Sequence, residues 1–326
     1  MTEHLRWGIL GAANFAMQHM ARAIHAAEHN KVVALATTSP EKAAGFRAFV
    51  RDLHVHGSYD ALLNDANVDA VYIPLPNHLH VEWTIKALEA GKHVLTEKPI
   101  AMRETEFDQL IAARDKTGLL AAEAYMIVHH PQWIKARQLY EDGAIGKLRH
   151  VTAAFSYNLQ DMQNIRSRPE TGGGSLRDIG VYTLGSTRFV TSQEPESVTA
   201  DLDFDNGVDT FASVHAKYPS FTYSGYTSTR LQNRQEVVFH GDKGIMRLPV
   251  PFNANVFGQA ELILETGAMQ TQIERFPGVN QYVLQVENFA KSVRDGSNYP
   301  CTLEFSRGTQ RMIDMVFDYA RAQGAG

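Results

Sequence analysis

Between residues 6 and 125, short apolar runs alternate with Ala-rich amphipathic stretches, and this alternation restricts the fold more than any other feature. Candidate strands lie at 6–11, 31–37, 69–74, 93–97 and 119–124; candidate helices lie at 14–28, 40–51, 79–90 and 103–117. Alternation of this kind builds βαβ units, whose parallel sheet is covered on both faces. Ligands of such sheets bind at the carboxyl ends of the strands. One strand end carries Glu97-Lys98-Pro99, with Pro99 biasing Lys98 toward an extended backbone. Lys98 is therefore placed to meet a cofactor or substrate, against the plainer alternative of a solvated charge pair.

The first strand-to-helix turn reads Gly11-Ala12-Ala13-Asn14-Phe15-Ala16. A dinucleotide fingerprint, Gly-x-Gly-x-x-Gly, occupies this place in a Rossmann unit, and the following helix N-terminus holds the pyrophosphate. Only the first glycine is kept, with alanine as the smallest replacement at the other two. The second strand ends Leu35-Ala36-Thr37-Thr38-Ser39, without the carboxylate that would bind a ribose 2′-hydroxyl. Glu41 comes later, followed by Lys42 and Arg47. Loss of the acid removes a repulsion against a 2′-phosphate, so NADP is favoured over NAD.

A third loop, Pro74-Leu75-Pro76-Asn77-His78-Leu79-His80, is stiffened by two prolines, and Asn77 is a candidate N-cap for the next helix. The pairs His78/His80, His54/His56 and His129/His130 could ligate a metal, but no carboxylate or cysteine completes them at metal-site spacing. No metal is expected.

After Tyr125 the pattern changes. A helix is predicted over 131–142, a strand over 148–157, and, after Gly172-Gly173-Gly174-Ser175, a helical segment over 176–190. Asp178 and Tyr182 are four residues apart on that segment and share a face. From 196 to 275, Thr-, Val-, Phe- and Tyr-rich strands separated by turns such as Asn206-Gly207 argue for antiparallel pairing. Two helices, about 280–295 and 304–323, close the chain. The expected architecture is α/β: an N-terminal Rossmann doubly wound parallel sheet over 1–125, and over 126–326 a C-terminal α/β domain with a large, mainly antiparallel open sheet. The last helix is a candidate to pack back on the first domain. A broad open sheet needs cover, which points to a homo-oligomer, a dimer or dimer of dimers.

Composition narrows the partners. The 326 residues are 44% hydrophobic and 21% charged, with net charge −5 and no basic block, so no nucleic-acid partner is expected. A single cysteine, Cys301, fits a reducing cytoplasm and leaves no intrachain disulfide. The chain enters a strand by residue 6 and has no apolar run of membrane-spanning length, so a cytoplasmic protein without leader or membrane partner is expected.

Taken together, the N-terminal turn, Pro74-Leu75-Pro76-Asn77 with His80, Glu97-Lys98-Pro99, Ala124-Tyr125-Met126, Ile165-Arg166, and Gly173-Gly174 with Asp178-x-Gly180-x-Tyr182 resemble the glucose–fructose oxidoreductase and inositol dehydrogenase family nearly end to end. Tyr182, where many members carry histidine, is similar to the branch of dimeric dihydrodiol dehydrogenase and D-xylose dehydrogenase, which favours NADP. The resemblance implies hydride transfer between NAD(P) and a sugar, polyol or diol. It assigns cofactor contacts to Gly11, Ala12, Ala13, Asn14, Phe15, Thr37, Thr38, Pro74, Leu75, Asn77, His80, Glu97 and Lys98. Substrate contacts fall to Lys98, Tyr125, Arg166, Asp178 and Tyr182. Tyr182 becomes the general acid/base, Lys98 its activator and Asp178 the substrate orienter. The rival readings are a non-catalytic NAD(P) sensor and an enzyme whose cofactor never leaves, as in internal redox recycling or NAD-dependent glycoside cleavage.

Overall fold

The computed structural model describes residues 4–267 and 270–324, which fall into two compact units. The first comprises Met1–Ala101, Thr105–Met126 and Asn280–Ser306; the second comprises Met102–Glu104, Ile127–Val279 and Arg307–Gly326.

In the first unit, strands β1 (Leu5–Leu10), β2 (Asn30–Ala36), β3 (His54–His56), β4 (Ala70–Ile73), β5 (His93–Glu97) and β6 (Ala121–Ala124) form one parallel sheet in the order β3-β2-β1-β4-β5-β6. This is the doubly wound order, with its switch point between β1 and β4. Helices α1 (Ala21–Ala26), α2 (Pro40–Arg47), α3 (Tyr59–Leu63), α4 (His80–Glu89) and α5 (Phe107–Thr117) make the crossovers. The strands are nearly all buried: β4 reads Ala-Val-Tyr-Ile with every residue inside, as a central strand covered on both faces requires.

Sequence patterning missed β3 and α3, because His-Val-His has no apolar run and α3 is barely more than one turn. The unit also claims α8 (Gln281–Asp295), whose Phe289 ring meets the buried Trp7 at 5.0 Å. The closing segment that joins the first unit is therefore 280–306, whereas 307–326 groups with the second. That segment holds α8 and the start of the last helix, whose Ser306 hydroxyl donates to the Glu123 carboxylate at 2.7 Å. Trp7 and Phe289, from opposite ends of the chain, bury each other there, a pairing that no local pattern encodes.

In the second unit the strands are β7 (Leu148–Asn158), β8 (Ser197–Asp205), β9 (Val208–Lys217), β10 (Thr222–Ser228), β11 (Arg230–Gly241), β12 (Gly244–Leu248), β13 (Glu261–Thr266) and β14 (Gln270–Arg275). They form an eight-stranded sheet ordered β14-β13-β12-β11-β7-β10-β9-β8. All pairings are antiparallel except β10 with β7, which is parallel. Helices α6 (Pro131–Glu141) and α7 (Val181–Thr191) lie in this unit, and α9 (Leu303–Ala322) ends the chain. Alternation shows which face is covered. Val237, Phe239, Met246, Leu248, Leu262 and Leu264 are buried, while their neighbours Val238, Ile245 and Ile263 on the opposite face are partly exposed. Among the described residues no helix is long and apolar enough to cross a membrane.

Candidate active site

In the first unit, β1 stops at Leu10 and Gly11 turns the chain with φ +98°, a conformation that favours glycine. A Cβ there would sit 2.9 Å from the Leu75 Cδ2, so the Gly11 turn and the proline loop approach closely. Ala13 and Asn14 lead into the helical stretch, which passes through a π-turn at Ala16–Met20 before α1. Ala16 is fully buried, which is the close helix–strand packing demanded of the third fingerprint position. Gly11, Ala12 and Ala13 remain half-buried and Asn14 is exposed, leaving a helix N-terminus open to a phosphate. These residues fit a dinucleotide.

At the end of β2 the Thr37 hydroxyl accepts from the Ser39 amide at 3.1 Å, and the Ser39 hydroxyl caps α2 by accepting from the Lys42 amide at 3.2 Å. Thr38, Lys42 and Arg47 are exposed there, with no carboxylate before Glu41. In the proline loop, Leu75 is buried, and Asn77 opens a 3-10 turn, Asn77–Leu79. The cap position of α4 is Leu79, which has no side chain able to cap, so Asn77 does not cap this helix as expected. His80 is 1% exposed, with Nδ1 2.8 Å from the Pro99 carbonyl and Nε2 2.7 Å from that of Leu75. Burial pushes its pKa down to about 4, so the ring is neutral and its single N–H donates to one carbonyl. His80 thus lies between the proline loop and the Lys98-Pro99 turn, where it can tie the two together.

β5 ends on Glu97, whose carboxylate accepts a 2.5 Å hydrogen bond from the buried Tyr72 hydroxyl and one of 3.3 Å from the Lys98 amide. Lys98 follows, half-buried, and its peptide bond to Pro99 is cis. Tyr125, expected to contact substrate, is 1% exposed, and its ring packs at 6.0 Å from Phe305.

In the second unit, Asp178 and Tyr182 are 8% and 6% exposed. Asp178 lies in a π-turn, Leu176–Gly180, that runs into α7, and π-turns concentrate at functional sites. The Asp178 carboxylate accepts from the Arg166 Nε at 2.9 Å and from the Tyr157 hydroxyl at 2.6 Å. Burial first, then the Asp178 charge, pushes the Tyr157 hydroxyl far above its ordinary pKa, so it stays a donor. Tyr182 lies among aromatic rings, 5.6 Å from Phe252 and 5.8 Å from Phe155.

Glycines hold this geometry. A Cβ on Gly173 would sit 2.5 Å from the Arg166 carbonyl oxygen, and the Gly174 amide donates to that same oxygen at 2.9 Å. Gly174 has φ +115°, and a Cβ there would be 2.1 Å from Asp209 Oδ1. Asp209 is buried, and its Oδ2 accepts from the Ser175 hydroxyl and the Leu176 amide, each at 2.7 Å. It therefore anchors the start of the segment carrying Asp178.

Two family models cover most of this chain. Residues 5–125 match the oxidoreductase family with an NAD-binding Rossmann fold, and residues 133–247 match the GFO/IDH/MocA C-terminal domain. The chain belongs to the GFO/IDH/MocA oxidoreductase family. It is an NAD(P)-dependent oxidoreductase. An uncharacterized oxidoreductase of Rhizobium meliloti is 37% identical, with 96% of each chain covered. The D-xylose 1-dehydrogenase (NADP(+)) 2 of Haloferax volcanii is 31% identical over 98% of this chain and 99% of that one. Among solved structures, a 3-ketoreductase from Actinomadura kijaniata in complex with NADP and TDP-benzene superposes with a TM-score of 0.88 at 27% identity, covering 97% of this chain and 98% of that one.

Sequence reasoning did not reach Tyr157, Asp209, Tyr72 or the positioning of His80. Tyr157 carried one weak signal, a hydroxylated ring at the half-buried end of an apolar strand. Nor did it find a third partner for His54 and His56. Folding brings Asp65 to that pair, which corrects the expectation that no carboxylate completes it.

Proposed function

We propose that this oxidoreductase uses NADP to interconvert a carbinol and a carbonyl carbon of a sugar, polyol or related diol, with Tyr182 as general acid/base. The observation that carries this reading is the Asp178 carboxylate, held by Arg166 and Tyr157 four residues before Tyr182. When bound, the nicotinamide accepts or delivers the hydride. Tyr182 takes the proton from the substrate hydroxyl, or returns it to the carbonyl oxygen, at its own phenolic oxygen. An ordinary tyrosine, with pKa about 10, is a poor base, and a neighbouring ammonium favours its phenolate. Lys98 is the residue assigned to supply that charge.

Asp178 orients the substrate by accepting from its hydroxyls. Its two protein donors fix the carboxylate's direction beforehand, which spares ordering cost at binding. Gly11, Ala12, Ala13, Asn14 and Phe15 would hold the dinucleotide phosphates. Thr37, Thr38 and Lys42 would meet a 2′-phosphate, in line with the relatives named for NADP or solved with it. His80 acts through the two loops it touches.

The open face of the second unit's sheet is assigned to a second copy of the chain, and a single buried cysteine suits a cytoplasmic setting. The test of the catalytic assignment is Tyr182→Phe. Turnover should drop about 10²–10⁴-fold, while the protein remains stabilised against heat by NADP⁺ more than by NAD⁺. Turnover within a few-fold of the wild type would refute the role of Tyr182.

A further inference from the structure

We propose that His54, His56 and Asp65 form a surface site for a borderline divalent cation such as Zn²⁺, apart from the catalytic groups. His54 and His56 are two residues apart on the three-residue edge strand β3, so both rings leave the same face. Their ring centroids are 4.1 Å apart. Asp65 arrives from the turn after α3. Its Oδ2 lies 3.5 Å from His54 Nδ1 and 3.1 Å from His56 Nε2. The three ligand atoms all fall within 4.8 Å of one another.

These spacings suit a metal. Zinc bonds of about 2.0–2.2 Å to imidazole and carboxylate place tetrahedral ligand atoms ~3.3–3.5 Å apart. Both carboxylate–imidazole edges are close to that value already. The remaining adjustment falls on His54, whose side chain is 66% exposed and able to move.

The other two ligands are held. His56 and Asp65 side chains are about one-tenth exposed, at 11% and 10%. The second Asp65 oxygen accepts from the Asn67 amide at 2.8 Å, and this bond leads the effects holding the carboxyl below its ordinary pKa. The Asp65 carbonyl accepts from the Lys92 ammonium at 2.8 Å, and the His56 carbonyl accepts from the Thr37 amide at 3.0 Å. Such outer partners orient ligands in metal sites. Two imidazoles with one carboxylate select zinc, nickel, cobalt or copper over magnesium and calcium, which prefer oxygen. Three protein ligands leave a position for water, and the site tethers the sheet's edge strand to the α3–β4 turn. Through the His56–Thr37 bond it reaches the strand end expected to meet the cofactor's ribose.

The experiment is titration of the tag-free, chelator-stripped full chain with Zn²⁺, followed by calorimetry and by thermal unfolding. One zinc per chain should bind with a dissociation constant in the micromolar range and raise the melting temperature. His54→Ala, at an exposed position, and Asp65→Asn should each weaken binding at least about tenfold. Cys301→Ser and His78→Ala should leave it unchanged. Absence of stoichiometric binding at millimolar zinc, or unaltered affinity in His54→Ala, would overturn the site.

Discussion

Asp178 shows how little of a site one side chain determines. A carboxylate on a helix is common, but this one is mostly buried and meets a guanidinium and a phenol from two other segments. Hydrogen bonds to charged groups contribute about 1.5–3 kcal/mol each. Replacing Tyr157 by Phe should therefore raise KM roughly tenfold or more with a smaller change in kcat. A purely structural role for Tyr157 would instead lower the melting temperature and leave KM alone. Asp178, Arg166 and Tyr182 were visible in the sequence because their residue types and spacing pair on one helical face or match family motifs. Tyr157 was not, because its partner lies 21 residues away and a tyrosine on a strand resembles any other packing ring.

At the scale of elements, the segment bearing Asp178 and Tyr182 is anchored by a buried acid. Burial pushes the Asp209 carboxyl up to about 6 from its ordinary 3.8. The folded state therefore favours the protonated form. The associated stability is complete below about pH 3.8 and is lost as pH rises through about 6. A shift of roughly two units corresponds to ~3 kcal/mol. Asp209→Asn lacks this titration. The stability of the wild type relative to that variant should thus decline by up to ~3 kcal/mol between pH 4 and pH 7, as read by denaturant melts at several pH values. A flat difference across that range would mean Asp209 titrates normally. The sequence pattern located the helical segment to within a residue or two, but not its π-turn. An extra residue per turn depends on how Gly174, Ser175 and Asp209 pack, not on periodicity. The same holds for β3, which exists because it pairs with β2 and not because its own residues prefer a strand.

For the whole molecule, the eight-stranded sheet leaves one face partly open, with Phe211 stacked on Tyr226 at 6.0 Å and Ile263 paired with the exposed Ile273. Multi-angle light scattering should give the mass of two 36.3 kDa chains or a multiple of two; a single-chain mass at micromolar concentration would remove the proposed interface. The sequence by itself determined the fold class, the parallel character of the first unit's sheet and the mainly antiparallel character of the second, and it placed Asp178 and Tyr182 on one helical segment. These rest on periodicity and turn chemistry, which are local and written in neighbouring residues. Only the tertiary structure decided that α8 belongs with the first unit, that Tyr157 and Arg166 share Asp178, that Asp209 underlies Gly174, and that Asp65 meets His54 and His56. Each of those joins different elements or turns, some near in the chain and some far apart, where burial and hydrogen-bond satisfaction select partners that no periodicity encodes.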